Sequence, residues 1–185
     1  MEPTCRAKVD VTFLRMDRPP RPPVPALPAE CRVVCLGEPS VPFYRFLYDT
    51  VGGPYLWWLR RTLSDERLAV LLSDPRVSVH VLYCGDEPAG FFEIDGRGEF
   101  DVNINYFGLM PQAIGRGLGR AFLHRAVEEG WRRTRRGLTV NTCTADHPRA
   151  LPTYLRAGFR PLRTVRENWD IPLRLGMTIA EHLRR

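Results

Sequence analysis

Lysine is almost missing from this 185-residue chain: Lys8 is the only one, although lysine and arginine together number 27. A phosphate loop ending in Lys-Ser/Thr is thereby excluded, since Gly119, the last of three alternating glycines, is followed by Arg120-Ala121. Long apolar runs are missing too, and none approaches the roughly 20 residues that a membrane-spanning helix needs. Met1 to Asp10 is polar and mixed in charge, with no secretory pattern, so the expectation is a cytoplasmic protein without a membrane partner. The five cysteines (Cys5, Cys31, Cys35, Cys84 and Cys143) are odd in number and scattered, which fits reduced thiols better than a disulfide framework. Cys31 and Cys35 form the only close pair and have no Cys or His pair beside them in sequence, so no metal is assigned.

What is present is ordinary for a globular protein: 44% hydrophobic and 26% charged residues. This length fits one domain, 1–185, burying roughly 70% of its unfolded surface. A net charge of +6, carried almost wholly by arginine, suits anionic ligands. Arg132, Arg133, Arg135 and Arg136 would be the patch for nucleic acid. Glu128 and Glu129 stand four residues before Arg132 and Arg133, however, which favours ion pairs along a solvated helix face and makes nucleic acid the weaker reading.

Along the chain, Val9 to Met16 reads as a strand, and residues 18–28 carry six prolines, an extended surface crossing. Region 40–74 is aromatic-rich (Phe43, Tyr44, Phe46, Tyr48, Tyr55, Trp57, Trp58), with short helices broken at Gly52-Gly53-Pro54 and a further helix capped by Ser64. Val77 to Cys84 and Ala89 to Asp95 flank a hairpin turn, and a third strand runs from Phe100 to about Leu109. Helix follows from about Gly117 to Thr134, with Phe122, Leu123, Ala126, Val127 and Trp131 on one stripe; Leu138 to Cys143 is again a strand. Strand, helix, strand in that order predicts a parallel pair joined by a right-handed crossover. A short helix, Pro148 to Ala157, ends at Gly158, and Phe159 to Ile171 closes as a strand.

The segment Met110-Pro111-Gln112-Ala113-Ile114-Gly115-Arg116-Gly117-Leu118-Gly119-Arg120 lies at the first turn of that βαβ unit. Glycine there permits positive φ, and the free amides of the next helix favour an anion. A dinucleotide fingerprint fits badly, because it wants glycine where Arg120 stands.

Two separated motifs then resemble the GNAT superfamily of acetyl-CoA-dependent N-acetyltransferases. Ile114 to Gly119 lies where that family has Gln/Arg-x-x-Gly-x-Gly/Ala, and His147-Pro148-Arg149-Ala150 through Tyr154 to Gly158-Phe159 is similar to its Asn-x-x-Ala followed by Tyr-x-x-x-Gly-Phe. The likeness covers Val77 to roughly Trp169. It implies an α/β fold of mixed type: a central, mostly antiparallel twisted sheet, a parallel splayed βαβ pair and helices on both faces, with 77–170 as the cofactor-binding core and 40–74 on the substrate side.

The resemblance further implies acetyl-CoA as cosubstrate and an amine acceptor, and leaves room for a homodimer. Backbone near Leu109, Met110 and Pro111 would pair with the pantetheine arm, and Ile114, Gly115, Arg116, Gly117, Leu118, Gly119 and Arg120 would grip the pyrophosphate, Arg116 and Arg120 adding charge. His147, in place of the family's commoner asparagine, would cap the later helix or touch the cofactor. Tyr154 corresponds to the usual general acid. Ile114 departs from the family's Gln/Arg, and Pro152 is expected to remove one helical hydrogen bond and bend the helix.

An alkyl ammonium is only about 0.04% neutral at pH 7, an apparent cost of roughly 4.6 kcal/mol, so a base or a desolvating pocket is required. The family's glutamate position falls on Asn103, which can orient a water but not take a proton. Asp101 is expected on the same strand face, and Glu93 is expected beside Asn103 across the sheet. Tyr44, Tyr48, Trp57 and Trp58 are the candidate acceptor wall, with core packing the competing role for each, and Asp49, Glu38 and Asp170 could select a cationic amine. An N-acetyltransferase acting on a primary amine of a small molecule or peptide, by direct attack in a ternary complex, is the leading reading. A non-catalytic acyl-CoA-binding module is the alternative that Asn103 leaves open.

Overall fold

In the computed structural model, which describes residues 2–134 and 136–184, the chain runs β1 (Thr4–Met16), β2 (Cys31–Leu36), α1 (Val41–Gly52), α2 (Asp65–Leu72), β3 (Val77–Cys84), β4 (Glu87–Asp95), β5 (Val102–Leu109), α3 (Leu118–Arg133), β6 (Leu138–Cys143), α4 (Ala150–Ala157) and β7 (Arg160–Pro172). One sheet holds all these strands in the order β2-β3-β4-β5-β6-β1-β7. Every neighbouring pair is antiparallel except β5 and β6. This is the mixed α/β architecture expected from the sequence, with α3 making the crossover between the parallel strands.

Successive side chains on a strand face opposite sides, and β4 shows what that does here. Phe91 packs with Tyr44, Leu47, Tyr48 and Leu68 of α1 and α2. Phe92 packs with Phe122, Leu123, Ala126 and Val127 of α3 and with Tyr154 of α4. The sheet is therefore covered by helices on both faces. A third cluster joins Ala7, Val9 and Val11 of β1 to Ile171, Ile179 and Leu183.

The helix ends follow the sequence signals. Ser64 Oγ accepts from the Arg67 N–H at 3.4 Å at the start of α2, and Gly158, with φ 103°, closes α4. Pro152 stands third in α4, inside the first turn, where N–H groups have no intrahelical partner, so the helical hydrogen bond expected to be lost is not lost. Residues 18–28 form neither helix nor strand.

Two expectations are corrected. Strand β2 was not read from the sequence, and its antiparallel register with β3 sets Cys31 opposite Cys84. These two cysteines form a disulfide across 53 residues of sequence, so only Cys5, Cys35 and Cys143 are free thiols. Spacing hid the bond because proximity here comes from strand pairing. The basic cluster also differs in detail: Arg132 pairs with Glu129, three residues away rather than four, and Glu128 pairs with Arg125. Arg135 lies outside the described residues.

Candidate active site

The parallel pair is short. Val102, Asn103 and Ile104 of β5 pair with Leu138, Thr139 and Val140 of β6, and beyond that register the strands part. β5 continues to Leu109 while paired only with β4, so its other edge from Asn105 onward faces an opening. A cavity of about 810 Å³ fills that opening. Its walls include Asn105 to Leu109 of β5, Asn141 and Cys143 of β6, the turn before α3, and Tyr154 of α4.

At one end lies the glycine segment. Gly115 and Gly117 have φ of 86° and 78°, and a Cβ on either would meet nothing within 4 Å. These glycines are required by conformation, not by crowding. Gly117 is the N-cap of α3 and no side chain caps that terminus, which leaves the first amides of a 16-residue helix free to face the cavity. Gly115, Gly117, Leu118, Gly119 and Arg120 line the wall together with Ile114 and Leu109. Arg116 does not, whereas Arg149 and Arg156 of the α4 segment do. None of Arg120, Arg149 and Arg156 has a carboxylate partner among the described residues. Met110 is core, its N–H given to the Ala89 carbonyl at 2.9 Å, and Pro111 opens a short 3₁₀ turn off the wall.

Tyr154 stands on the other side of the opening. It is only 6% exposed, its ring packs against Phe107 and Phe159, and its hydroxyl has no hydrogen-bond partner among the described residues. Burial first, and the charge of Asp146 second, push its phenol well above the ordinary tyrosine value, so it stays protonated. His147 also lines the cavity; its Nδ1 accepts from the Arg149 N–H at 3.1 Å and its ring meets Tyr55 edge-on.

The strand carboxylates lie elsewhere. Register in the β4–β5 pair shifts between Glu93 and Ile94, which sets Glu93 opposite Tyr106 and Asp95 opposite Asn103, so the expected Glu93–Asn103 neighbours are not neighbours. Glu93 is fully buried, bonded by Tyr44 Oη at 2.5 Å, Arg60 Nη2 at 2.6 Å and Asn105 Nδ2 at 2.8 Å. Asp101 precedes β5, instead of sharing its face with Asn103, and is ion-paired with Arg15. Asn103 accepts from Thr139 Oγ1 at 3.0 Å and donates to Asn105 Oδ1 at 3.2 Å. None of these three lines the cavity; Asn105 does.

Of the aromatic candidates, Tyr48, Trp57 and Trp58 line the cavity and Tyr44 is core. Asp49 and Asp170 are tied to Arg61 and Arg6 at the surface, and neither they nor Glu38 reach the wall. The carboxylates that do line it are Asp146 and Glu167, which the sequence reading did not single out. Asp146 adjoins the His147-Pro148-Arg149-Ala150 motif, and that adjacency was the available signal.

A split parallel pair, an uncapped helix N-terminus and a buried tyrosine thus meet at one cavity. The match to the acetyltransferase (GNAT) family model spans residues 37–159, and the chain belongs to that family. Solved structures agree in fold. One is a GCN5-related N-acetyltransferase from Sphaerobacter thermophilus, 18% identical over 92% of this chain and 54% of that one, with a TM-score of 0.63. Another is a tandem GNAT protein from the clavulanic acid biosynthesis pathway, 16% identical over 91% of this chain and 55% of that one, TM-score 0.61. A third is an aminoglycoside acetyltransferase from an uncultured soil metagenomic sample, 15% identical over 70% of this chain and 88% of that one, TM-score 0.56. The chain thus spans little more than half the length of the first two. No curated protein matches it. Membership of the family supports acyl transfer as the general chemistry, and the solved structures show the same fold. Among the described residues no helix is long and apolar enough to cross a membrane, and no group of three or more His, Cys, Asp or Glu side chains could hold a metal ion.

Proposed function

We propose that the chain is an acetyl-CoA-dependent N-acetyltransferase that acts on a primary amine of a small molecule or peptide by direct attack in a ternary complex. The observation that carries this is continuity: one cavity runs from the free amides of α3, along the unpaired edge of β5, to the unpartnered Tyr154 hydroxyl. Coenzyme A fits each part by chemistry. The amides of Gly117 to Arg120, with the unpaired Arg120, Arg149 and Arg156, suit its phosphates. The open β5 edge from Asn105 to Leu109 offers backbone groups to the amides of a pantetheine arm, as a further strand would.

When bound, acetyl-CoA supplies the thioester as an activated acyl donor. The chain's own part is to place and protonate. As the neutral amine forms the C–N bond and the C–S bond breaks, Tyr154, held neutral by burial, gives its proton to the departing thiolate sulfur and is reprotonated by the proton that the amide nitrogen releases. Trp57, Trp58 and Tyr48 keep water from the acyl end and leave a space where an amine can approach. The Glu93 carboxylate serves the core, where it fixes Asn105 on the wall.

Purified protein with acetyl-CoA and a broad amine panel, read by free-thiol release, tests this reading. Amine-dependent thiol release is expected. Saturable acetyl-CoA binding with no release above background for any amine would instead identify a non-catalytic acyl-CoA-binding module.

A further inference from the structure

The cavity holds charges of both signs, and they are not paired with each other. Arg120, Arg149 and Arg156 belong to α3 and the α4 segment, beside the glycine turn. Asp146, in the loop between β6 and α4, and Glu167, on β7, are the carboxylates of the wall. In a chain so rich in arginine most carboxylates find a guanidinium, from Asp10 with Arg166 to Asp170 with Arg6. Neither Asp146 nor Glu167 has one among the described residues, although Arg149 follows Asp146 by three positions. Both are held by neutral hydrogen-bond donors instead, Glu167 by Trp169 Nε1 at 2.8 Å, which leaves their charge at the wall without a counter-ion.

Asp146 is also rigidly aimed. Its Oδ2 accepts from Thr142 Oγ1 at 2.7 Å and from the Cys143 N–H at 2.9 Å, while Oδ1 receives only the long Trp57 Nε1 contact of 3.4 Å. Oδ1 therefore retains acceptor capacity at the cavity surface. Trp57, Trp58, Tyr55 and Trp169 stand on the same wall, and aromatic faces attract a desolvated cation. A second, independent sign of a ligand at this place is Tyr154, more than nine-tenths buried with an unpartnered hydroxyl on the same cavity.

From this we infer that the acceptor arrives as a cationic amine and that Asp146 is the residue that selects it, receiving its ammonium on Oδ1; the ammonium then gives up one proton to water at the cavity mouth, and the neutral nitrogen is the form that attacks. Glu167 adds a second negative group for acceptors that carry a further cation. The inference rests on the acyltransferase reading and makes it narrower. It also explains why the sequence's own candidates, Asp49 and Asp170, play no part: each already has its arginine.

The test uses the full chain, with coenzyme A bound for calorimetry and acetyl-CoA supplied for thiol release, and two probes: phenethylamine, an ammonium at neutral pH, and aniline, a neutral amine. Calorimetric binding and thiol release are measured for wild type and Asp146→Asn. The asparagine keeps an oxygen for Thr142 and Cys143 and removes the charge. The variant is expected to bind phenethylammonium about 10- to 100-fold more weakly and to lose kcat/KM for it by a similar factor, with aniline little changed. Asp146→Glu is expected to restore part of the preference for the cation. Equal losses for both probes would show a merely structural role and overturn the inference, as would unchanged binding of phenethylammonium, or wild type that neither binds nor acetylates it. If acetyl-CoA binding and aniline turnover persist in that last case, the acyltransferase reading stands while the inference falls.

Discussion

Arg60 donates Nη2 to Glu93 Oε1 at 2.6 Å inside the face of the sheet that α1 and α2 cover, where Glu93 has no exposed surface. The same carboxylate takes Tyr44 Oη on its other oxygen, and Arg60 lies 5.2 Å over the Tyr106 ring. A charge so buried is tolerable only because it is paired and bonded. Arg60→Met leaves it unpaired and is expected to lower the unfolding free energy by about 3–5 kcal/mol, read from urea denaturation. An unchanged midpoint would show that this pair is not what holds α1 and the following turn to the sheet.

Tyr154→Phe removes one hydroxyl from the cavity and no hydrogen bond among the described residues. We expect kcat to fall by about 100-fold or more while the acetyl-CoA dissociation constant stays within about twofold. The phenol is held above its ordinary pKa by burial, so the acid form persists as pH rises. Wild-type activity should accordingly show no alkaline loss attributable to this residue up to pH 9. A kcat equal to wild type in the phenylalanine variant would remove Tyr154 from the chemistry.

His80 gives a stability prediction with a definite sign. Its ring stacks on Phe92 at 4.5 Å and bonds Ser78 Oγ at 3.0 Å, and burial pushes its imidazole down to about 4. Unfolded, the same group titrates near 6.5. Between those values the unfolded chain binds the extra proton, so stability falls as pH drops from about 6.5 to about 4 and levels off below. The full effect is on the order of 3 kcal/mol. Buried His124 is shifted in the same direction. His80→Gln should flatten the dependence of unfolding free energy on pH across that window, and an identical slope would contradict the assignment.

Much of the fold was legible because periodicity changes sharply where the elements change. β5, α3 and β6 alternate strand and helix patterns, and that order dictates the parallel pair. β2 was not legible: it is a short edge strand after a proline-rich crossing, with an uneven burial pattern. Register was not legible either: the pairing sets Asp95, not Glu93, opposite Asn103, and a one-residue shift then sets Glu93 opposite Tyr106, none of which leaves a mark in composition. For the site, glycines needing positive φ announced the cradle. Asp146 carried only the weak signal of adjoining the His147 motif, because what sets it apart, the lack of an arginine partner among the described residues, is a property of three dimensions.

The central claim is that the glycine turn and the start of α3 hold the phosphates of an acyl-CoA, and Gly119 is the position that tests it most cleanly. A Cβ there would meet only the Leu109 side chain, at an ordinary 3.8 Å, and the residue sits at the start of a helix, where aspartate is favourable. Gly119→Asp should therefore keep the wild-type unfolding midpoint while placing a negative charge in the cradle. Calorimetric titration with acetyl-CoA is expected to give saturable binding to wild type and binding weaker by about 100-fold or more in the variant. Equal affinity in the two proteins, or no binding to wild type, would contradict the account.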